Sequence, residues 1–368
     1  MPLKIGLLVG WEQSFPKAFI ERVNKEPGVI AELAKVGATE ERFDAPYRVL
    51  IDRISQEILH YRYHMKCAAL AGTYVINDPF WWSADDKFFG YSLAAKIGVA
   101  VPRTIMLPQK DYIPAIDKER SLRNLEYPLD WNAIEKYVGF PAILKPADGG
   151  GWKDVSLVRN HEELMRAYDA SGQKVMTFQE FIDFEDYIRC ICVGREKILP
   201  IKYDPKHRCY IHTPNGFMSK ALEATVLDGA FKLCDSLGYD MNSVEFAVRD
   251  GVPYAIDFTN PAPDMALDSI LEPHFRWCVE EMALFAIKCA KEGRTSLGEH
   301  YRFSRYLPPH LRATAPGAEP ANIAMEHAPP ATEPATPGAS STSKAGKKDK
   351  SPGLGTSNDG VPKSGGKQ

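Results

Sequence analysis

The apolar run at residues 140–144 ends on Lys145 and Pro146, and Gly149, Gly150 and Gly151 follow after two residues. Lysine supplies the compact positive charge that a phosphate attracts. Three glycines without Cβ atoms let backbone N–H groups approach an anion closely. The spacing is not a P-loop, which needs Gly-x-x-x-x-Gly-Lys-Ser/Thr. Nor is it the dinucleotide fingerprint Gly-x-Gly-x-x-Gly. From these residues alone the segment is either a phosphate-binding loop of another kind or an ordinary flexible hairpin.

Two further clusters carry chemistry. Gln179, Glu180, Phe181 and Ile182 end one strand, and Glu185 and Asp186 open the next, which runs on to Arg189. Backbone groups at such a strand end can pair with the edge of an adenine, and a carboxylate there can accept the hydroxyls of a ribose. Downstream, two strands joined by a turn at Asp250-Gly251 carry Glu245 and Asp257 into apolar surroundings, followed by Asn260. Buried carboxylates need a metal or a partner, and two acids with an amide oxygen are the hard ligands that Mg²⁺ takes beside nucleotide phosphates. Two acids hydrogen-bonded at strand ends is the plainer reading. Lys202 follows a strand that runs towards the same region, where it contacts phosphate or substrate or is simply a surface lysine.

These residues need elements to hold them. Residues 4–9 read as a first strand, and Ser14 as the cap of a helix with Phe15, Phe19, Ile20 and Val23 on one face. Residues 47–51 read as a strand, 54–70 as a helix and 74–76 as a short strand. Strands alternating with helices predict an open parallel sheet whose ligands gather beyond the carboxyl ends of its strands, where Trp11, Glu12, Ser14 and Arg53 fall. Arg53 could clamp a carboxylate and Glu12 an ammonium group, which suits an amino acid or short peptide. Residues 84–98 read as a helix and 99–106 as extended chain. A connection at 108–131 follows, and from Ile134 onward strands dominate: 142–145, 155–158, 177–180, 188–193 and 198–202. Helices at 161–170, 221–237 and 275–292 intervene. Trp81 and Trp82, beside Phe80, Phe88 and Phe89, read as packing between lobes.

Composition narrows the classes. The chain has 368 residues, 44% hydrophobic and 25% charged, with a net charge of −3, which predicts neither nucleic-acid nor membrane partners. Neither a signal peptide nor an apolar stretch of membrane-spanning length is expected. Seven scattered cysteines read as reduced, with Cys190 and Cys192 on one side of a strand, favouring a cytoplasmic location. Beyond Leu311 the chain turns to Ala, Pro, Gly, Ser, Thr and Lys with no Phe, Trp or Tyr, the composition of a disordered tail.

Taken in order, the Lys145 and glycine segment, the 179–186 strand end and the 245–260 hairpin resemble the ATP-grasp superfamily, in the manner of glutathione synthetase and D-alanine–D-alanine ligase. The run from Asn77 through Asp86-Lys87 to Pro102 resembles the family's entry to its ATP-binding lobe. The resemblance implies an α/β fold with α+β lobes: an open parallel-sheet domain at 1–100, a small lobe with the glycine loop at 101–188, a metal-binding lobe at 189–309 and a tail at 310–368. It implies ATP with Mg²⁺, or Mn²⁺ as the alternative ion. Lys87 and Lys145 would contact phosphates or adenine, and Gly149, Gly150 and Gly151 would form the mobile phosphate loop. Gln179, Glu180, Phe181 and Ile182 would meet adenine, and Glu185 or Asp186 the ribose. Arg189 would neutralise phosphate charge, and Glu245, Asp257 and Asn260 would hold the metal. One departure stands out: the family pattern places acid and asparagine two residues apart, whereas Asp257 and Asn260 are three apart, which requires a bulge or another ligand such as Asp264. The implied chemistry is ligation of a carboxylic acid to an amine through an acyl-phosphate, both substrates small molecules. A synapsin-type ATP-binding scaffold and a small-molecule kinase are the alternatives, and homo-oligomerisation is left open.

Overall fold

The first four strands are short and apolar, and they pair in parallel. β1 (Leu3–Leu8), α1 (Ser14–Val23), β2 (Val29–Leu33), β3 (Val49–Asp52), α2 (Leu59–Leu70) and β4 (Tyr74–Ile76) build a sheet of order β2-β1-β3-β4. The structure, a computed structural model, describes residues 1–311 apart from Phe43, residues 82–85, Trp152, residues 299–300 and residues 309–310. The expected tail, Trp82 and the first residues of the expected 84–98 helix lie outside the described residues.

The parallel sheet is the one the alternating pattern predicts. Strand β2 escapes that pattern because it is five residues long and includes a glutamate, with Ile30 and Leu33 exposed. Its place in the sheet matters: β1 connects outward to β2 on one side, while β3 connects to β4 on the other. The crevice beyond the carboxyl ends of β1 and β3 is therefore a topological switch point, the usual ligand position in such sheets. Glu12 follows β1 and Arg53 follows β3. Helix α1 buries Phe15, Phe19 and Val23 at i, i+4 and i+8, but Ser14 is its first residue, not its cap; Gln13 precedes it and makes no side-chain cap bond.

A second sheet follows α3 (Lys87–Lys96). It comprises β5 (Thr104–Leu107), β6 (Ala142–Pro146), β7 (Ser156–Val158) and β8 (Met176–Glu180) in the antiparallel order β5-β8-β6-β7. The connection at 108–131 holds a one-turn helix, α4 (Lys118–Ser121). It leads into α5 (Trp131–Val138), an element absent from the expected strand-rich stretch and started by Asp130, whose carboxylate accepts from Ala133 N–H. With α6 (His161–Asp169), α5 covers one face of this sheet, and Leu107, Val138, Leu144, Leu164 and Phe178 form its core.

The third sheet is antiparallel, β11-β10-β9-β12-β13, from β9 (Asp186–Val193), β10 (Lys197–Asp204), β11 (Cys209–Ile211), α7 (Lys220–Leu237), β12 (Met241–Arg249) and β13 (Val252–Asn260). Period-2 alternation gives it two different faces. Ile188, Cys190, Cys192, Val244 and Phe246 pack under α7, so both cysteines face one side as expected. Tyr187, Ile191, Val193, Tyr203 and Tyr210 share a core with β1, α1 and α9 (Glu272–Glu292), which follows the short α8 (Leu267–Ile270). A 3-10 turn at Arg302–Tyr306 brings Phe303 and Tyr301 against Phe80. Trp81, 44% exposed, meets Phe89 edge-on rather than filling a core.

Asn77 joins the first and third sheets. Its amide donates to the carbonyls of Met241 (2.8 Å) and Pro261 (3.3 Å), and its oxygen accepts from the N–H groups of Asp240 and Met241, both at 2.8 Å. The residue is buried, so truncation orphans these groups. Asn77→Ala is expected to lose about 3 kcal/mol of stability, read as a lowered midpoint in denaturant with an unchanged slope.

Candidate functional site

Strands β9, β12 and β13 place charged side chains on one face of the third sheet. Arg189 on β9 stands opposite Glu245 on β12, and Glu245 opposite Asp257 on β13. Arg189 Nη2 lies 2.8 Å from Glu245 Oε1, while the Tyr187 hydroxyl donates to Oε2. The guanidinium carbon sits 3.8 Å above the Tyr203 ring centroid and 5.7 Å from that of Tyr210. Burial pushes the Glu245 carboxyl above the usual carboxylate range; neighbouring Asp257 adds to this and Arg189 opposes it.

Helix α3 and the second sheet bring cations to the same place. Lys87, in the first turn of α3, reaches Asp257 with Nζ 2.9 and 3.1 Å from the two carboxylate oxygens. Lys145, at the end of β6, crosses from the second sheet to the Tyr91 hydroxyl (2.8 Å) and the Ile256 carbonyl (3.0 Å). Burial lowers the Lys145 pKa, partly offset by Asp257 and Glu245. Burial also opposes ionisation of Asp257, yet Lys87 and Lys145 together hold its carboxyl below the usual range. Lys87, Lys145 and Arg189 thus outnumber Glu245 and Asp257, and the cluster as it stands favours an anion. The Nε atom of Arg189 is buried with no hydrogen-bond partner, an unmet donor that a phosphate oxygen would satisfy.

The donor set also suits a hard divalent cation. An ionised carboxylate has about four lone-pair sites; the recorded contacts on Glu245 and Asp257 leave each with room for a further ligand. The bulge required by the Asp257 to Asn260 spacing is present. Ser243 pairs with Asn260 and Glu245 with Asp257, so three steps on β13 match two on β12. The Asn260 amide nitrogen donates to Ser243 Oγ at 3.0 Å, which leaves its carbonyl oxygen to serve as a ligand. Asp264 instead accepts from Ala266 N–H and Ser269 Oγ, shaping its own turn.

No family model matches the chain. Over 162 residues it is 28% identical to the D-alanine–D-alanine ligase of Polynucleobacter asymbioticus, covering 39% of this chain and 48% of that one, so the match spans about half the length of the curated relative. Among solved structures, the D-Ala:D-Ser ligase VanG of Enterococcus faecalis superposes with a TM-score of 0.59 at 12% identity, over 79% of this chain and 100% of that one. The D-alanine–D-alanine ligase of Bacillus anthracis complexed with ATP gives 0.55 at 14% identity, over 79% and 99%. A RimK domain ATP-grasp protein of Sphaerobacter thermophilus gives 0.55 at 16%, over 77% and 99%. The chain has the ATP-grasp fold.

Within that fold the sequence-derived residues separate into three groups. Lys87, Lys145, Arg189, Glu245 and Asp257 converge as described, while Asn260 follows Asp257 on β13 with its amide on Ser243 Oγ. In the glycine segment, Gly149 and Gly151 have φ of 87° and 70°, which favours glycine, and among the described residues a Cβ at any of the three glycines would meet nothing within 4 Å. A third group is engaged largely with other partners, although Gln179 also hydrogen-bonds Tyr91, which meets Lys145. The Gln179 side chain is buried and bonds Thr104 Oγ1, and Glu180 pairs with Arg103 and Arg249, both at 3.0 Å. The backbone N–H groups of Glu180 and Phe181 donate to Arg103 and Pro141 carbonyls, while Ile182 is buried. Lys202 and Asp186 pair with each other at 2.6 Å, whereas Glu185 is exposed.

The expected substrate clamp needs correction. Arg53 is 5% exposed and makes a two-pronged pair with Glu12, with Nε 2.6 Å from Oε2 and Nη2 on Oε1; Nη2 also donates to the Pro263 carbonyl at 2.7 Å. The Ser14 hydroxyl accepts from Leu267 N–H at 3.0 Å. These three residues join the switch point of the first sheet to the loop after β13. Sequence reasoning missed the aromatic members Tyr91, on α3, and Tyr187, Tyr203 and Tyr210, on strands, because a tyrosine in an apolar element reads as core. Only the alternation Tyr187, Arg189 and Glu245 across paired strands marks them.

Proposed function

We propose that this ATP-grasp chain is an ATP- and Mg²⁺-dependent ligase that activates a small carboxylic acid as an acyl-phosphate and joins it to an amine. The observation that carries the reading is the convergence of Lys87, Lys145 and Arg189 on paired Glu245 and Asp257, beside a glycine loop with room to close. The similarity to ligases of the D-alanine type supports the same chemistry.

In this reading Lys87, Lys145 and the unmet Nε of Arg189 bind phosphate oxygens, and the strand end at residues 179–182 lines the adenine side. Glu185 takes the ribose, since Asp186 is held by Lys202. Glu245, Asp257 and Asn260 would hold Mg²⁺, which when bound offsets charge on the transferring phosphoryl group. A substrate carboxylate oxygen attacks the γ-phosphorus and ADP leaves. The amine nitrogen then attacks the acyl carbon, and phosphate leaves as the C–N bond forms. The three fixed cations act where negative charge develops, without reorganising at the moment of reaction. Closure of residues 149–151 would keep water from the acyl-phosphate. The acceptor and donor bind beyond β1 and β3, where Glu12 lies at the switch point.

Incubation with ATP, Mg²⁺ and pooled amino acids tests this. Phosphate release that requires both an acid and an amine, with a product joined by an amide bond, is expected. A phosphorylated product with no amide overturns the ligase in favour of a kinase. Tight ATP binding without turnover in any pool favours a scaffold of the synapsin type.

A further inference from the structure

A carboxylate beside an arginine usually closes into a two-pronged pair, each oxygen meeting a separate N–H. Arg53 and Glu12 do so in this chain. Arg189 and Glu245 do not. The closest contact of Arg189 with Glu245 is Nη2 to Oε1; Oε2 accepts from the Tyr187 hydroxyl, the guanidinium also bonds Tyr210, and Arg189 Nε is buried without a hydrogen-bond partner. Oε2, the oxygen that Nε would meet in a side-on pair, accepts from the Tyr187 hydroxyl instead.

Tyr187 is well fixed for this task. It is 4% exposed, and its ring packs edge-on to Phe184 at 5.4 Å and tilted against Tyr203 at 5.7 Å. The Tyr203 ring also carries the Arg189 guanidinium, so donor, cation and carboxylate are located by one aromatic group.

We propose that Tyr187 is a positioning residue that keeps Glu245 from collapsing into a two-pronged pair with Arg189, leaving the carboxylate open to a divalent cation and Arg189 Nε open to a phosphate oxygen. This rests on the metal-nucleotide reading of the site. Tyr187 touches neither substrate nor reacting atoms; it acts by choosing between two pairings of its neighbours. Partners that orient a metal ligand typically change metal affinity 10- to 100-fold.

The test is Mn²⁺ binding in the presence of ATP, followed by the electron paramagnetic resonance of free Mn²⁺, on the full chain. Tyr187→Phe removes one oxygen and keeps the ring contacts, and its melting curve establishes that it is folded. It is expected to bind Mn²⁺ about 10-fold more weakly than wild type. A second pair of proteins isolates the mechanism. Lysine cannot form the two-pronged pair, so in an Arg189→Lys background the same Tyr187→Phe change is expected to cost no more than about two-fold. Unaltered Mn²⁺ affinity in Tyr187→Phe overturns the proposal, and so does an equal loss in both backgrounds, which would mark a merely structural hydroxyl. Failure of wild type itself to bind Mn²⁺ with ATP overturns the underlying reading of the site.

Discussion

Asp257→Asn is expected to lower kcat/KM for ATP about a thousand-fold while leaving the protein folded. The carboxylate is the partner of Lys87 and the cross-strand neighbour of Glu245, and Lys87 and Lys145 keep it ionised. Asparagine preserves the size and one acceptor oxygen, so Lys87 keeps a hydrogen bond and β13 keeps its bulge. What disappears is one negative charge where a cation and a phosphate are proposed to meet. Removing a single preorganised electrostatic group of this kind typically costs 10²–10³ in rate. The measurement is steady-state phosphate release across ATP and Mg²⁺ concentrations, with the melting temperature as the control for folding. A loss under ten-fold would remove Asp257 from the phosphate and metal machinery.

Arg53→Ala is expected to destabilise the protein by about 3–5 kcal/mol. Reading Arg53 as an open substrate clamp leads to a different expectation, a raised KM for the acid with stability unchanged. The structure replaces that reading because both prongs of the guanidinium already hold Glu12, and Nη2 holds the Pro263 carbonyl. The Arg53 side chain is 2% exposed and that of Glu12 16%, so removing the cation leaves an anion largely out of water. Phe15, whose ring lies 4.9 Å from the guanidinium, would also border the space left behind. Urea unfolding decides the matter. Stability within about 0.5 kcal/mol of wild type would show that the pair is not structural and return Arg53 to the substrate.

Glu12 and Asp257 show how differently two carboxylates at strand ends can be used. Asp257 faces more positive than negative charge on a sheet face that collects cations from three elements. Glu12 is matched one-to-one by Arg53 at the joint between two sheets. Both read alike along the chain, since each accompanies an apolar strand, Asp257 within β13 and Glu12 just after β1. Their partners lie 170 and 41 residues away.

By itself the sequence determined the outline of this protein. The alternation of strands and helices before residue 80 specified an open parallel sheet, because buried parallel strands must be apolar and their crossovers helical. The lysine and glycine segment and the two acids of the 245–260 hairpin could be found in order, because their chemistry depends on residue type and short spacing. A bulge or another ligand arrangement could also be anticipated, since Asp257 and Asn260 are three apart where the resembled family places acid and asparagine two apart. Pairing across long separations was decided only by the tertiary structure. Strand β2 was recognisable only once β1 was seen to pair with it. Arg53 became a joint rather than a clamp because Pro263 and Glu12 meet it in space. Tyr187 acquired a role because β9 and β12 set it, through Glu245, beside Arg189. Each of these depends on which groups are desolvated together, a property of the packed chain that no local pattern carries.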